Sequence, residues 1–198
     1  PVADLSVSAD AGCAGSAVWV DNFPQFADSV ILDLGDCMQF TNPDFNTLEY
    51  SYSSEGERVI TTTVWTDAGC TATASVMHTV YPAAVASFTA PAPACSPLLA
   101  TFDNDIIITG TTYTWDLGDG NTSSMMNPTH LYENATAMDT TFVVTLTAET
   151  EHGCVDTTTE EVVVHGTPVA GLAIASQTGC YPLEVNFANL SEGITAGT

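Results

Sequence analysis

Six cysteines and four histidines carry most of the chemistry this chain could perform. Cys13, Cys37, Cys70, Cys95, Cys154 and Cys180 could form disulfides, ligate a metal or act as nucleophiles. Structural zinc needs clustered ligand spacings, and His152-Gly153-Cys154 offers only an isolated pair. A catalytic histidine needs a nucleophile and an orienting carboxylate, and no Gly-x-Ser-x-Gly elbow occurs. The expected set of catalytic residues is therefore empty, and the chain reads as no enzyme. The other candidate is the turn Asp116-Leu117-Gly118-Asp119-Gly120. Gly118 and Gly120 permit positive φ, and the aspartates can accept from backbone N–H groups, so the turn can satisfy itself. A weaker reading gives Asp116 and Asp119 to a Ca²⁺ ion, although the spacing does not match an EF-hand loop. No other cofactor is expected.

Charge excludes several functions. The chain holds 24 acidic residues and a single cation, Arg58, for a formal net charge of -23. That field repels phosphate backbones and anionic lipid, so neither nucleic acid nor a membrane surface is an expected partner. No apolar stretch approaches the roughly 20 residues that span a bilayer as a helix. With no lysine there is no Schiff base, no lysine nucleophile and no Lys–Asn isopeptide bond. The acidity suits solubility in a salty medium, where screening shortens self-repulsion. A second reading makes it a sink for divalent cations.

The elements that must position these residues are organised as repeats. Asp33-Leu34-Gly35-Asp36 recurs as Asp116-Leu117-Gly118-Asp119. Cys13 recurs as Cys95 and Cys180, and Gly69-Cys70 recurs as Gly153-Cys154. Val18-Trp19-Val20-Asp21-Asn22 aligns with Ala100-Thr101-Phe102-Asp103-Asn104 and with Val185-Asn186-Phe187-Ala188-Asn189. Landmarks in one order at a period of about 84 residues define modules at 1–82, 83–167 and 168–198, the last cut short. Both ends are expected to be cuts in something longer.

Within each module the pattern has period two. Phe142, Val144, Leu146 and Ala148 share one face, as do Ile60, Thr62 and Val64. Short β-branched runs alternate with Gly, Asn, Asp and Pro clusters, and hydrophobic residues make up 45% of the chain, enough for real cores. The expected fold is all-β: tandem immunoglobulin-like β-sandwiches. Trp115 should lie in the core of the second, where the first module has Leu32.

The second module also carries a run of motifs. Tyr113-Thr114-Trp115-Asp116-Leu117-Gly118-Asp119-Gly120, Asn127-Pro128-Thr129-His130-Leu131-Tyr132 and Val143-Val144-Thr145-Leu146-Thr147 follow one another. In that order they resemble the PKD (polycystic kidney disease) domain. The first module keeps the Asp-Leu-Gly-Asp core but has Cys37 where the turn ends in Gly120. It lacks the Asn-Pro-x-His-x-Tyr string, whose work falls to Tyr50 or Tyr52. His130 and Tyr132 are expected to be buried and bonded to backbone, and Pro128 to be structural. The resemblance extends to PKD repeats of giant secreted Bacteroidota proteins. It implies an extracellular place, on the cell surface or in a secreted filament, and a spacer or ligand-binding role.

The repeat suggests disulfides Cys13–Cys70 and Cys95–Cys154, each enclosed in one module. Cys180 would then pair beyond Thr198. Cys37 is expected to be a partly buried free thiol, with an intermolecular or out-of-segment bond as alternatives. Asn121, Asn134 and Asn189 open N-glycosylation sequons, and Asp28-Ser29, Asp139-Thr140 and Asp156-Thr157 resemble a short O-glycosylation motif of Bacteroidota. The functional expectation is a structural or adhesive segment whose partners are other copies or neighbouring repeats in a fibre. The alternatives are modules that bind a surface glycan or protein, or accessory domains of a hydrolase whose catalyst lies elsewhere.

Overall fold

The computed structural model describes residues 1–42, 46–174 and 178–193. All regular structure among the described residues is β-strand. The fold is of the tandem immunoglobulin-like sandwich type. Contacts divide the chain into two compact units. The first is Pro1–Ala84 together with the short segment Glu149–Val155; the second is Val85–Ala148 with Asp156–Thr198.

The first unit contains β1 (Leu5–Val7), β2 (Ala11–Cys13), β3 (Ala17–Asn22), β4 (Ser29–Asp33), β5 (Gln39–Thr41), β6 (Thr47–Ser51), β7 (Gly56–Trp65) and β8 (Thr71–Tyr81). One sheet runs β1-β3-β6 and the other β2-β8-β7-β4-β5. The alternation along β7 turns Ile60, Thr62 and Val64 inward. Ile60 packs in one core cluster with Val18 and Val20 of β3, Leu32 of β4, Leu34, Tyr52 and Val80, all buried. Strand β2 is an edge strand and pairs parallel with the end of β8, Cys13 lying opposite Tyr81.

The rest of the chain contains β9 (Phe88–Thr89), β10 (Ala94–Cys95), β11 (Leu98–Thr101), β12 (Asp103–Asn104), β13 (Thr111–Asp116), β14 (Thr122–Ser123), β15 (Thr129–Tyr132), β16 (Thr140–Thr150), β17 (Val155–His165), β18 (Leu172–Ile174) and β19 (Phe187–Asn189). The large sheet, β10-β17-β16-β13-β14, has the same order of equivalent strands as β2-β8-β7-β4-β5. Smaller pairs are β11-β15, β12-β9 and β18-β19. The core is more aromatic than that of the first unit. Trp115 is fully buried, 4.9 Å from Phe88 and 5.6 Å from Phe102 between ring centroids. Its indole N–H donates to the Met125 carbonyl at 2.9 Å. Leu32 fills the corresponding place in the first unit, also fully buried.

Two buried polar groups are held by the backbone around them. Asn134 donates through Nδ2 to the carbonyls of Met138 and Val164 and accepts from Thr136. His78 sets Nδ1 2.8 Å from the Ala9 carbonyl, and its ring stacks on Tyr52. Arg58, the chain's one Lys/Arg cation, donates to the Ser54 carbonyl, Ser54 Oγ and the Glu55 carbonyl.

Candidate functional site

Two kinds of place concentrate polar and reactive side chains: the acidic turns and the cysteines. The turns follow β4 and β13, where the chain must reverse tightly before β5 and β14. Asp33 Oδ1 accepts from the Gly35 N–H at 2.8 Å, and Asp116 Oδ1 from the Gly118 N–H at 2.9 Å. Both glycines sit at φ 78. A Cβ at Gly118 would lie 2.5 Å from the Val143 carbonyl oxygen, and one at Gly35 2.8 Å from that of Val59. Only glycine fits, because the turn backbone lies directly on the neighbouring long strand.

The second aspartate of each turn is bound from outside. Tyr50 donates its hydroxyl to Asp36 Oδ2 at 2.7 Å. His130 places Nε2 2.7 Å from Asp119 Oδ2. Tyr50 thus occupies the role of His130. Two residues on, the Tyr52 hydroxyl donates to the Leu34 carbonyl at 2.9 Å, and the Tyr132 hydroxyl to the Leu117 carbonyl at 2.8 Å. The first module needs both tyrosines, one for each task. His130 was expected to bond to backbone; it reaches the Asp119 carboxylate instead and is only partly buried. Pro128 is buried, and its carbonyl accepts from Phe102.

Burial pushes the Tyr52 phenol up to about 12, and the Asp36 charge adds to the effect. Tyr132 is raised by burial too, with Asp119 and Asp116 contributing. Tyr50 is raised chiefly by its hydrogen bond to Asp36. For Asp119, burial works upward, but hydrogen bonds from His130 and Asn121 outweigh it and hold the carboxyl below its usual value. These are the marks of self-satisfied turns, whose charges stabilise fixed hydrogen bonds.

The donor set does not fit calcium. Asp119 accepts at both oxygens, from the Asn121 N–H and Nδ2 and from His130. Asp116 already holds Gly118. Calcium takes roughly six to eight oxygen ligands. Among the described residues no group of three or more His, Cys, Asp or Glu side chains is placed to hold a metal ion. No function is assigned to calcium at Asp116 and Asp119.

The cysteine pairing departs from the sequence expectation. Cys13 is bonded to Cys154, with the two Cα atoms 5.7 Å apart. Cys70 and Cys95 are exposed free thiols, as are Cys37 and Cys180. Strand length explains the correction. Cys13 lies beside Tyr81 at the end of β8, whereas Cys70 immediately precedes Thr71 at its start. The 11 residues of β8 span about 36 Å at the usual strand rise, far beyond the roughly 7 Å Cα limit for a disulfide. Cys95 lies opposite His165 at the end of β17, and Cys154 precedes its start, so the same length separates them. Neither Cys13–Cys70 nor Cys95–Cys154 can close. Cys37 also differs from expectation: it is exposed, and it holds the position of Gly120 at φ 74, against 90 for the glycine.

The bonded pair is built on two small frames. At Cys13, Ala14 N–H donates to the Tyr81 carbonyl. At Cys154, the hairpin turn between β16 and β17 is closed by Thr150. Its N–H donates to the Cys154 carbonyl at 2.9 Å and its Oγ1 accepts from the Cys154 N–H at 3.1 Å. The Tyr81 ring, opposite Cys13 across the strand pair, stacks on His152 with centroids 3.8 Å apart. Sequence reasoning missed this arrangement. The available signal was the repeated Thr-x-x-Gly-Cys string, Thr66 to Cys70 and Thr150 to Cys154, which marks a hairpin turn followed by a long strand.

Of the three N-glycosylation sequons, Asn134 has its amide nitrogen committed to two carbonyls and is buried. No helix among the described residues is long and apolar enough to cross a membrane.

A protein-family model described as PKD domain matches residues 81–164. Among solved structures, the PKD1 domain of Vibrio anguillarum Epp is 27% identical, covers 43% of this chain and 96% of its own, with a TM-score of 0.35. The PKD1 domain of the Vibrio cholerae metalloprotease PrtV is 28% identical, covers 42% of this chain and 98% of its own, also at 0.35. Fibronectin(III)-like modules of Clostridium thermocellum CbhA are 12% identical, covering 82% of this chain and 94% of theirs, at 0.34. No curated protein matches the sequence.

Proposed function

We propose that this chain is a passive, extracellular structural segment: consecutive PKD-type modules that serve as mechanical spacers in a surface protein or filament. The observation that carries this reading is the Cys13–Cys154 bond. It joins a cysteine of the first sequence module to the hairpin of the second, in addition to the peptide link. A second covalent tie of this kind suits a segment that bears load, because it limits how much chain a pull can release. The bond also favours an oxidising compartment. The acidic turns support the same reading, since their carboxylates are occupied in holding the fold. The acidity keeps copies apart in solution.

Force spectroscopy on the chain held at its two ends tests this. Under oxidising conditions the 141-residue separation between Cys13 and Cys154 is locked, so the released contour should be shorter than under reduction by about 500 Å. Equal contour lengths, saturable binding to a glycan array, or turnover of peptide, ester or glycoside substrates would each overturn the spacer reading.

A further inference from the structure

The partners of the Cys13–Cys154 bond have repeat counterparts in the neighbouring modules, and those counterparts are unbonded. Cys70 is the counterpart of Cys154, and Cys95 of Cys13. Their backbones are already in the bonding arrangement. At Cys70, Thr66 N–H donates to the Cys70 carbonyl at 2.9 Å, and Thr66 Oγ1 accepts from the Cys70 N–H at 3.2 Å. Those are the bonds Thr150 makes to Cys154. Gly69 and Gly153 both turn at positive φ, 83 and 76. At Cys95, the parallel pairing to His165 and the Ser96 N–H to His165 carbonyl bond repeat what Cys13 and Ala14 do at Tyr81. Both thiols are exposed, so no packed core hides them.

We infer that Cys70 and Cys95 are the two open halves of a serial disulfide staple, each taking the complementary cysteine of an adjoining module of the same repeat. Cys95 receives the hairpin cysteine of the module that follows. Cys70 is received by the strand cysteine of the module that precedes. Each link forms by thiol–disulfide exchange with a small-molecule disulfide such as oxidised glutathione. One cysteine thiolate attacks the oxidant and displaces a thiolate; the second cysteine then displaces the other. The two cysteines lose two protons and two electrons, and the oxidant leaves as two thiols. A head-to-tail link of this kind can recur at every module of the repeat. The inference rests on the spacer reading and supplies its chemistry.

The test adds one repeat to the whole chain. A second copy of residues 83–167 is inserted between Thr167 and Pro168, and the purified protein is equilibrated with oxidised and reduced glutathione. Peptides are then mapped without reduction. Cys95 should be recovered linked to the hairpin cysteine of the inserted copy, in near-stoichiometric yield, beside the Cys13–Cys154 peptide. The same insertion carrying Cys95→Ser should leave that hairpin cysteine free to alkylate. Placing the extra repeat ahead of Pro1 should likewise link Cys70 to its strand cysteine. Alkylated Cys95 in molecules that retain Cys13–Cys154 would overturn the inference, because the control bond shows the protein is folded. That outcome would leave the spacer reading standing. Ligand binding or turnover by the same protein would sink the spacer reading without altering the peptide map.

Discussion

Cys13 and Cys154 are 141 residues apart in the chain and 5.7 Å apart at Cα, joined by a disulfide that encloses most of the described strands. Its partner residues come from an edge strand and from a hairpin turn. In the chain-entropy account, a loop of this length stabilises by about 5 kcal/mol.

Cys13→Ser should therefore lower stability markedly, by about 2–5 kcal/mol. The loss should appear as an earlier denaturant midpoint and a newly titratable Cys154. Cys70→Ser and Cys95→Ser in this chain should change the midpoint by no more than about 0.5 kcal/mol, being exposed and unbonded. A large loss on Cys70→Ser would contradict the observed pairing.

Gly118→Ala should cost about 2–3 kcal/mol or more, since a left-handed φ alone costs about 1–2 kcal/mol for an L-residue. The clash with the Val143 carbonyl adds to that. Gly35→Ala should behave alike against Val59. Thermal melts of the two variants check this; an unchanged melt for either would mean the turn can move off its strand.

Cys37→Gly should stabilise, because Cys37 bears at φ 74 the strain that Gly120 avoids. The gain should be about 1 kcal/mol. The same variant removes an exposed thiol, so the count of reactive cysteines should fall by one without a change in fold, visible by thiol titration and circular dichroism.

Tyr52→Phe and Tyr132→Phe should each leave a turn carbonyl, Leu34 or Leu117, without its hydroxyl donor. The cost should be about 1–3 kcal/mol apiece. The phenols also predict alkaline behaviour. Tyr52 is raised from 10.0 to about 12, so its contribution is whole below the unfolded value and is lost as pH rises through the folded one. Phenolate absorbance from this residue should therefore grow in together with unfolding.

At the acid end Asp119 has the opposite sign. Its folded pKa lies below the ordinary carboxylate value, because bonds from His130 and Asn121 outweigh burial. Its contribution is whole above that ordinary value and disappears as pH falls through the depressed one. His130→Phe should move the Asp119 titration upward, measured on the carboxyl carbon by NMR. An unmoved titration would show that His130 does not hold the charge.

Repetition, strand alternation and turn chemistry were legible in the residues themselves. Inward positions such as Ile60, Val64, Val144 and Leu146 follow from a two-residue period that any strand must obey. The glycines of the acidic turns announce a left-handed backbone because few other residues adopt one. What only the tertiary structure decided is who meets whom across long separations. Tyr50 and Tyr52 were alternatives in the sequence, and folding gives each a separate partner, Asp36 and the Leu34 carbonyl. Cys13 finds Cys154 because an 11-residue strand carries Cys70 to the far end of its own sheet. Composition and local pattern set each strand's faces, but rise per residue and the order of strands set the distances that a disulfide must obey.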